Sequence, residues 1–208
     1  CDDRVLSAID RSVVGNLSKE WRTVSDVSNG VAVVIPLALG GLDYWLGKEQ
    51  ATWGDYGADL LVTAQAVGAT ICITDVLKYS LRRSRPTRYT VGASSKSSWH
   101  TLSFPSGHTS SAAAASFAFA TTFALRHPKS VWRYAMYGLG SLVTGATAMG
   151  RVKGGAHFYS DVIAGGILGA TIGIILPYLH RRQDSMEISA VPFVDGESVI
   201  LSLSGQFE

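Results

Sequence analysis

Charge is scarce in this chain: Lys, Arg, Asp and Glu make up 16% of its 208 residues, against about 25% in an average soluble domain. The formal net charge is only +2, which excludes a nucleic-acid binder driven by bulk positive charge. Cysteine is nearly absent. Its two occurrences, Cys1 and Cys72, exclude a disulfide-rich scaffold and a four-cysteine zinc site. Very long apolar runs are missing too. Uncharged stretches cover 27–42, 60–74, 109–125, 134–150 and 162–179, each about 15–18 residues and so at or below the roughly 20 that cross a bilayer. Gly, Ser, Thr and Ala dilute them, and the mean hydropathy is +0.19. Buried helices of a soluble or peripherally membrane-associated protein are therefore favoured over a polytopic integral membrane protein.

What is present suffices for a core. An apolar content of 47% with low net charge excludes disorder, and the length suits one domain spanning 1–208. Residues 4–24 form a polar, mildly amphipathic start, with Val5, Ile9, Val13 and Leu17 at helical spacing. Helical patterns follow at 27–47 (interrupted by Pro36), 57–83, 107–125, 131–150 and 161–179, with a loop from about Pro86 to Pro105. In the last helix Gly165, Gly169 and Gly173 recur every four residues and leave a smooth stripe for close packing. In the tail at 183–208, Val191–Val194 and the alternating Val199, Leu201 and Leu203 flank a turn at Asp195-Gly196 and predict a short β-hairpin. The predicted fold is all-α, a bundle of about six main helices with that C-terminal β-hairpin. Cys72 reads as a small core residue. Cys1, followed by two aspartates, reads either as a lipid-bearing first residue or as a plain chain boundary.

Three polar clusters fall at the ends of the uncharged runs. Lys78 and Arg85 are seven apart, sharing a face if the helix continues, and two fixed cations suit a dianion. Phe104-Pro105-Ser106-Gly107-His108 is a turn feeding a helix, whose outward N–H groups and dipole favour phosphate, with His108 placed to donate a proton. Arg151, His157 and Asp161 form the third: at helical spacing Asp161 can accept from one imidazole nitrogen of His157 and expose the other as a nucleophile, while Arg151 offers a planar fork for phosphoryl oxygens. Each alone reads as readily as a solvated basic helix end, a capping turn or a surface His–Asp pair. In an up-and-down bundle, however, all three fall on one side, where their convergence makes a pocket. Asp75 reads as an ion-pair partner of Lys78, and Trp99 and His100 as residues at the pocket mouth.

Lys-x6-Arg-Pro at 78–86, Pro-Ser-Gly-His at 105–108 and Arg-x5-His-x3-Asp at 151–161 resemble the three-part signature of the type 2 phosphatidic acid phosphatase superfamily. That superfamily includes lipid phosphate phosphatases, class A non-specific acid phosphatases and vanadium haloperoxidases. The resemblance spans the signature core at 78–161 and implies a metal-independent phosphatase acting on phosphomonoesters or pyrophosphates through a phosphohistidine. His157 would be the nucleophile, Asp161 its orienting acid and His108 the proton donor. Lys78, Arg85, Arg151, Ser106 and Gly107 would bind the phosphate, with no metal or cofactor and with vanadate as an inhibitor. One departure stands out: Gly150 occupies the position before Arg151 where the family usually has serine, so one phosphate hydrogen bond is expected to be missing.

Two other functions share the motif set. A vanadium-dependent haloperoxidase would hold vanadate as its cofactor in the same pocket, but such enzymes are much longer. A non-catalytic bundle binding phosphate or anionic lipid would need the cations but not an oriented nucleophile. The expected partner is a phosphorylated lipid or small phosphoester, with membrane association and no nucleic acid. Arg126, Lys129, Arg133, Arg181 and Arg182 at the end opposite the site favour that end as cytoplasmic, and so an extracytoplasmic, periplasmic site.

Overall fold

The structure is a computed structural model and describes residues 6–47, 52–91, 101–183, 188–195 and 198–205. Five long helices make the bundle: α2 (Lys19–Leu46), α3 (Trp53–Leu81), α5 (Gly107–Arg126), α6 (Trp132–Lys153) and α7 (Tyr159–Gln183). Two short ones, α1 (Ala8–Arg11) and α4 (Pro86–Val91), lie at the site end. The fold is all-α. Beyond the bundle, β1 (Ile188–Asp195) and β2 (Ser198–Gly205) pair antiparallel with Asp195 opposite Ser198.

Local chemistry sets the helix starts. Ser7 and Ser18 accept from the backbone N–H groups of Asp10 and Trp21, and Thr52 with Asp55 forms a reciprocal capping box. The polar start thus breaks into α1, a joint and the first turns of α2, instead of one helix. Pro36 does not end α2, which continues through it. α3 ends at Leu81 because Arg82 adopts a left-handed conformation, φ 46°.

α5 is the central helix and touches every other long helix. Its buried face is built of small residues, Ala112 to Ala115 with Ser110, Ser116, Ala118 and Ala120, which lets neighbouring backbones come close. A Cβ at Gly165, Gly169 or Gly173 would collide with the carbonyls of Ser106, Ser110 or Ala114. The glycine stripe of α7 is therefore the seam against α5, with the two helices running parallel. α2 also runs with α5, since Asn29 meets Ser111 and Gly40 meets Phe119. α3 and α6 run against it: Thr74 bonds Ser110, Asp59 pairs with Arg126, and Gly140 packs on Ser116.

The surface is inverted relative to a soluble protein. Val27, Val34, Leu61, Val76, Ile163 and Ile167 are exposed, while Ser25, Thr70, Thr74, Ser110 and Thr147 are buried. Trp45, Trp53, Trp132 and Tyr178 stand exposed at the end where α2 and α7 finish and α3 and α6 begin, as an interfacial aromatic belt does. Among the described residues, three helical segments, Lys19–Leu46, Trp53–Thr90 and Tyr159–Arg181, are long and apolar enough to cross a membrane.

The expectation of a soluble or peripherally associated periplasmic protein is thereby overturned, and the chain is a polytopic membrane protein. Counting between charges misled the length argument. Asp26, Asp59, Asp75 and Lys78 lie inside the helices and serve the two polar ends, so α2 with its 28 residues spans about 42 Å at 1.5 Å per residue. Cys72 is corrected with it: the thiol is exposed on the outer face of α3. Cys1 lies outside the described residues.

Candidate active site

The three clusters meet where α3 ends and α5 and α7 begin. Beside them a small apolar core of Leu6, Val13, Val152, Phe158 and Val162 docks the N-terminal segment. Asn16 and Arg22 extend that docking by donating to the carbonyls of Val152 and Gly154. Gly155 sits at φ +65°, and any side chain there would strike the Asn16 carbonyl.

His157 is 2% exposed and lies in the turn before α7, not within the helix. Its Nδ1 lies 2.7 Å from the Ser103 carbonyl oxygen, which can only accept. Nδ1 therefore carries the proton, and Nε2 keeps its lone pair. Asp161 Oδ2 is 3.7 Å from Nδ1, beyond hydrogen-bond range. That carboxylate is engaged elsewhere: it accepts from Ser103 Oγ at 2.5 Å, the Phe158 N–H at 2.9 Å and Arg83 Nη1 at 2.5 Å. Asp161 thus acts on His157 mainly through Ser103, a link absent from the sequence reading. Burial pushes the His157 imidazole down to about 4, with Arg85 and Arg151 adding to the push and Asp161 opposing it.

The cations converge without sharing a helical face. α3 stops before Arg85, which reaches back from the α3–α4 joint. Its guanidinium donates to the Ala156 and Leu102 carbonyls, and Nη1 lies 3.5 Å from His157 Nε2. Arg151, in the last turn of α6, reaches Asp26 at 3.2 Å, and its buried Nε has no hydrogen-bond partner among the described residues. Lys78 pairs with Asp75 at 3.0 Å, as expected, and its ammonium sits where a side chain at Gly107 would go. An alanine at 107 would push that ammonium aside.

His108 opens α5, and its Nε2 is 3.3 Å from Asp26. Asp26, on α2, is a site residue that sequence reasoning missed, and nothing in its sequence neighbourhood marked it. Ser106 is buried. Its N–H donates to the Asp161 carbonyl and its hydroxyl pairs with Thr109, so Ser106 builds the turn while its own N–H is occupied. Trp99 and His100 lie outside the described residues.

Gly150 has a packing reason. A Cβ there would lie 2.6 Å from the Trp21 carbonyl and 2.8 Å from the Ser25 backbone. A serine at 150 would force the α2–α6 crossing to shift, and the space belongs to Ser25, whose buried hydroxyl has no partner among the described residues.

A buried histidine protonated on Nδ1 lies against Arg85, with Arg151 nearby and with Lys78 and a second histidine at the start of the central helix, a setting suited to a phosphate-like anion. The PAP2 superfamily model matches residues 59–185, more than half the chain, and the protein belongs to that superfamily. No curated protein matches the sequence. Among solved structures, the first transmembrane PAP2 type phosphatidylglycerolphosphate phosphatase from Bacillus subtilis is similar at 22% identity and TM-score 0.61, with 84% of each chain covered. Aquifex aeolicus LpxE is similar at 20% identity and TM-score 0.51, with 80% of this chain and 90% of that one covered.

Proposed function

We propose that this protein is a phosphatase of membrane lipid phosphates working through a phosphohistidine on His157. The observation that carries the reading is the setting of His157, whose protonated Nδ1 is bound to the Ser103 carbonyl and whose Nε2 faces Arg85. The buried, partnerless Arg151 Nε supports it, as a donor awaiting an acceptor. The Bacillus subtilis structure is described as a phosphatidylglycerolphosphate phosphatase, and a lipid substrate suits a membrane-embedded bundle.

In this mechanism the Nε2 lone pair attacks phosphorus as the bond to the leaving oxygen breaks, and His108 gives that oxygen its proton. Water then attacks the phosphohistidine. His108 takes a proton from the water, and the P–N electron pair returns to Nε2. Lys78, Arg85 and Arg151 hold the equatorial oxygens through the transition state, together with the Gly107 N–H at the positive end of α5. Asp161 stabilises the charge that develops on the imidazole.

The test is phosphate release by purified protein in detergent and EDTA. The substrates are p-nitrophenyl phosphate, phosphatidic acid, phosphatidylglycerophosphate and undecaprenyl pyrophosphate, assayed side by side. Vanadate-sensitive release from one or more lipids, well above the soluble ester, is the expected result. Equal release from the soluble ester removes the lipid preference. No release from any, with bromide oxidation on adding vanadate, replaces the phosphatase by a haloperoxidase.

A further inference from the structure

Arg83 reads in the sequence as one of several basic residues at a helix end. In the structure it joins two carboxylates from opposite ends of the sequence. Its Nη2 donates to Asp10 Oδ2 at 2.8 Å and its Nη1 to Asp161 Oδ1 at 2.5 Å and Ser160 Oγ at 2.6 Å. Asp10, in α1, is buried and also accepts from the Ser160 N–H and hydroxyl. The Arg83 guanidinium lies 4.7 Å from the ring centroid of Phe158, the residue after His157. Its own carbonyl accepts from the Ser103 N–H at 3.0 Å.

Those contacts close a ring. Arg83 binds Ser103 through the backbone and Asp161 through the side chain, and Ser103 Oγ donates to Asp161. The Ser103 carbonyl is the group that holds His157 Nδ1. Resting on the phosphohistidine reading above, we propose that Arg83, anchored by Asp10, is a positioning residue for the nucleophile. It fixes Ser103 and Asp161, and through them the ring orientation and tautomer of His157. The segment before α2 thereby becomes part of the catalytic machinery.

The electrostatics make Arg83 hard to replace. Two buried carboxylates flank it, and removing the cation leaves both uncompensated in a site of low dielectric. Burial works to raise the Asp10 carboxyl, but the bonds from Ser160 and Arg83 outweigh it and hold the pKa below the usual value. The charged groups around His157 are Arg85 from the α3–α4 joint, Arg151 from α6 and Asp161 from α7, with Arg83 and Asp10 behind Asp161. Losing Arg83 should therefore make the His157 ring more basic, and losing the Asp10 charge should make it less so.

The test compares full-length wild type, Arg83→Gln, Arg83→Lys and Asp10→Asn in detergent. Arg83→Gln is expected to lower kcat about 100-fold, the scale of a misplaced reacting group, with KM changed less than about threefold. Its acid limb in kcat/KM should move to higher pH. Asp10→Asn should lower kcat about tenfold at most, with the limb moving to lower pH. Arg83→Lys should recover part of kcat and the wild-type limb. Nitrogen NMR of the His157 ring reads tautomer and titration without turnover, so it separates this proposal from the assignment of the reaction. An unchanged ring signal in Arg83→Gln overturns the proposal whatever the activity. Should Arg83→Gln fail to fold, wild-type kcat and limb in both Asp10→Asn and Arg83→Lys overturn it.

Discussion

The bundle carries a histidine–aspartate pair at each end, and the two are opposites. His127 Nε2 lies 2.9 Å from Asp43 Oδ2, with side chains 34% and 24% exposed. His157 Nδ1 lies 3.7 Å from Asp161 Oδ2, with side chains 2% and 0% exposed. By distance alone His127 is the better dyad. Yet it sits beside an Arg126–Asp59 pair whose charges cancel, and Tyr44 packs against that guanidinium. Around His157 the charge is carried by Arg85 and Arg151 against Asp161, and the buried Arg151 Nε has no partner among the described residues. What separates the two ends is burial and an unfilled hydrogen-bond donor, not a short His–Asp distance.

That contrast can be broken most severely at its active pole. His157→Ala should lower turnover at least about 10⁴-fold while vanadate binding by calorimetry persists; normal turnover would transfer the nucleophile elsewhere. Next comes pH. His157 attacks only when neutral and His108 donates only when protonated, so kcat/KM should fall about tenfold per unit below about 4. It should fall again on an alkaline limb as His108 loses the proton it has to donate. A bound phosphate dianion favours protonated His108, so the alkaline limb of kcat itself should lie at higher pH.

Smaller effects sharpen the contrast. Gly150→Ser should cost about 1–3 kcal/mol, as overpacking does, because α2 backbone occupies the space; an unchanged melting temperature would show that the crossing can relax. Asp26→Asn frees Arg151 and His108 of a competing carboxylate. KM should fall about threefold, because both groups become free to meet the anion; an unchanged KM would place Asp26 outside the site. His127→Ala should leave kcat and KM unchanged and cost at most about 1 kcal/mol, the range of a partly exposed pair.

The motifs and the helix order made the convergence of Lys78, Arg85, His108, Arg151, His157 and Asp161 legible, because alternating helix direction puts those ends together without any knowledge of packing angles. Arg83 and Asp26 were not legible. Their importance lies in which side chains they meet across the fold, Asp10 with Asp161 and Arg151 with His108, and local residue types do not encode that. Ser103 was hidden because its main contribution is a carbonyl, which every residue has. The membrane setting is not legible in the mean hydropathy, because polar residues turned inward, such as Thr70 and Thr147, lower it in helices whose outer faces are apolar. Gly150 looked like a lost phosphate ligand until α2 was seen against it.

The alternation of α2, α3, α5, α6 and α7 sets the start of α2 and the end of α7 at opposite ends of the bundle. The chain therefore enters α2 beside His157 and leaves α7 about one helix length away, 25 residues from Tyr159 to Gln183. A spectroscopic label on the first turn of α2 would report on the surroundings of the histidine, whereas one on the last turn of α7 would be blind to them.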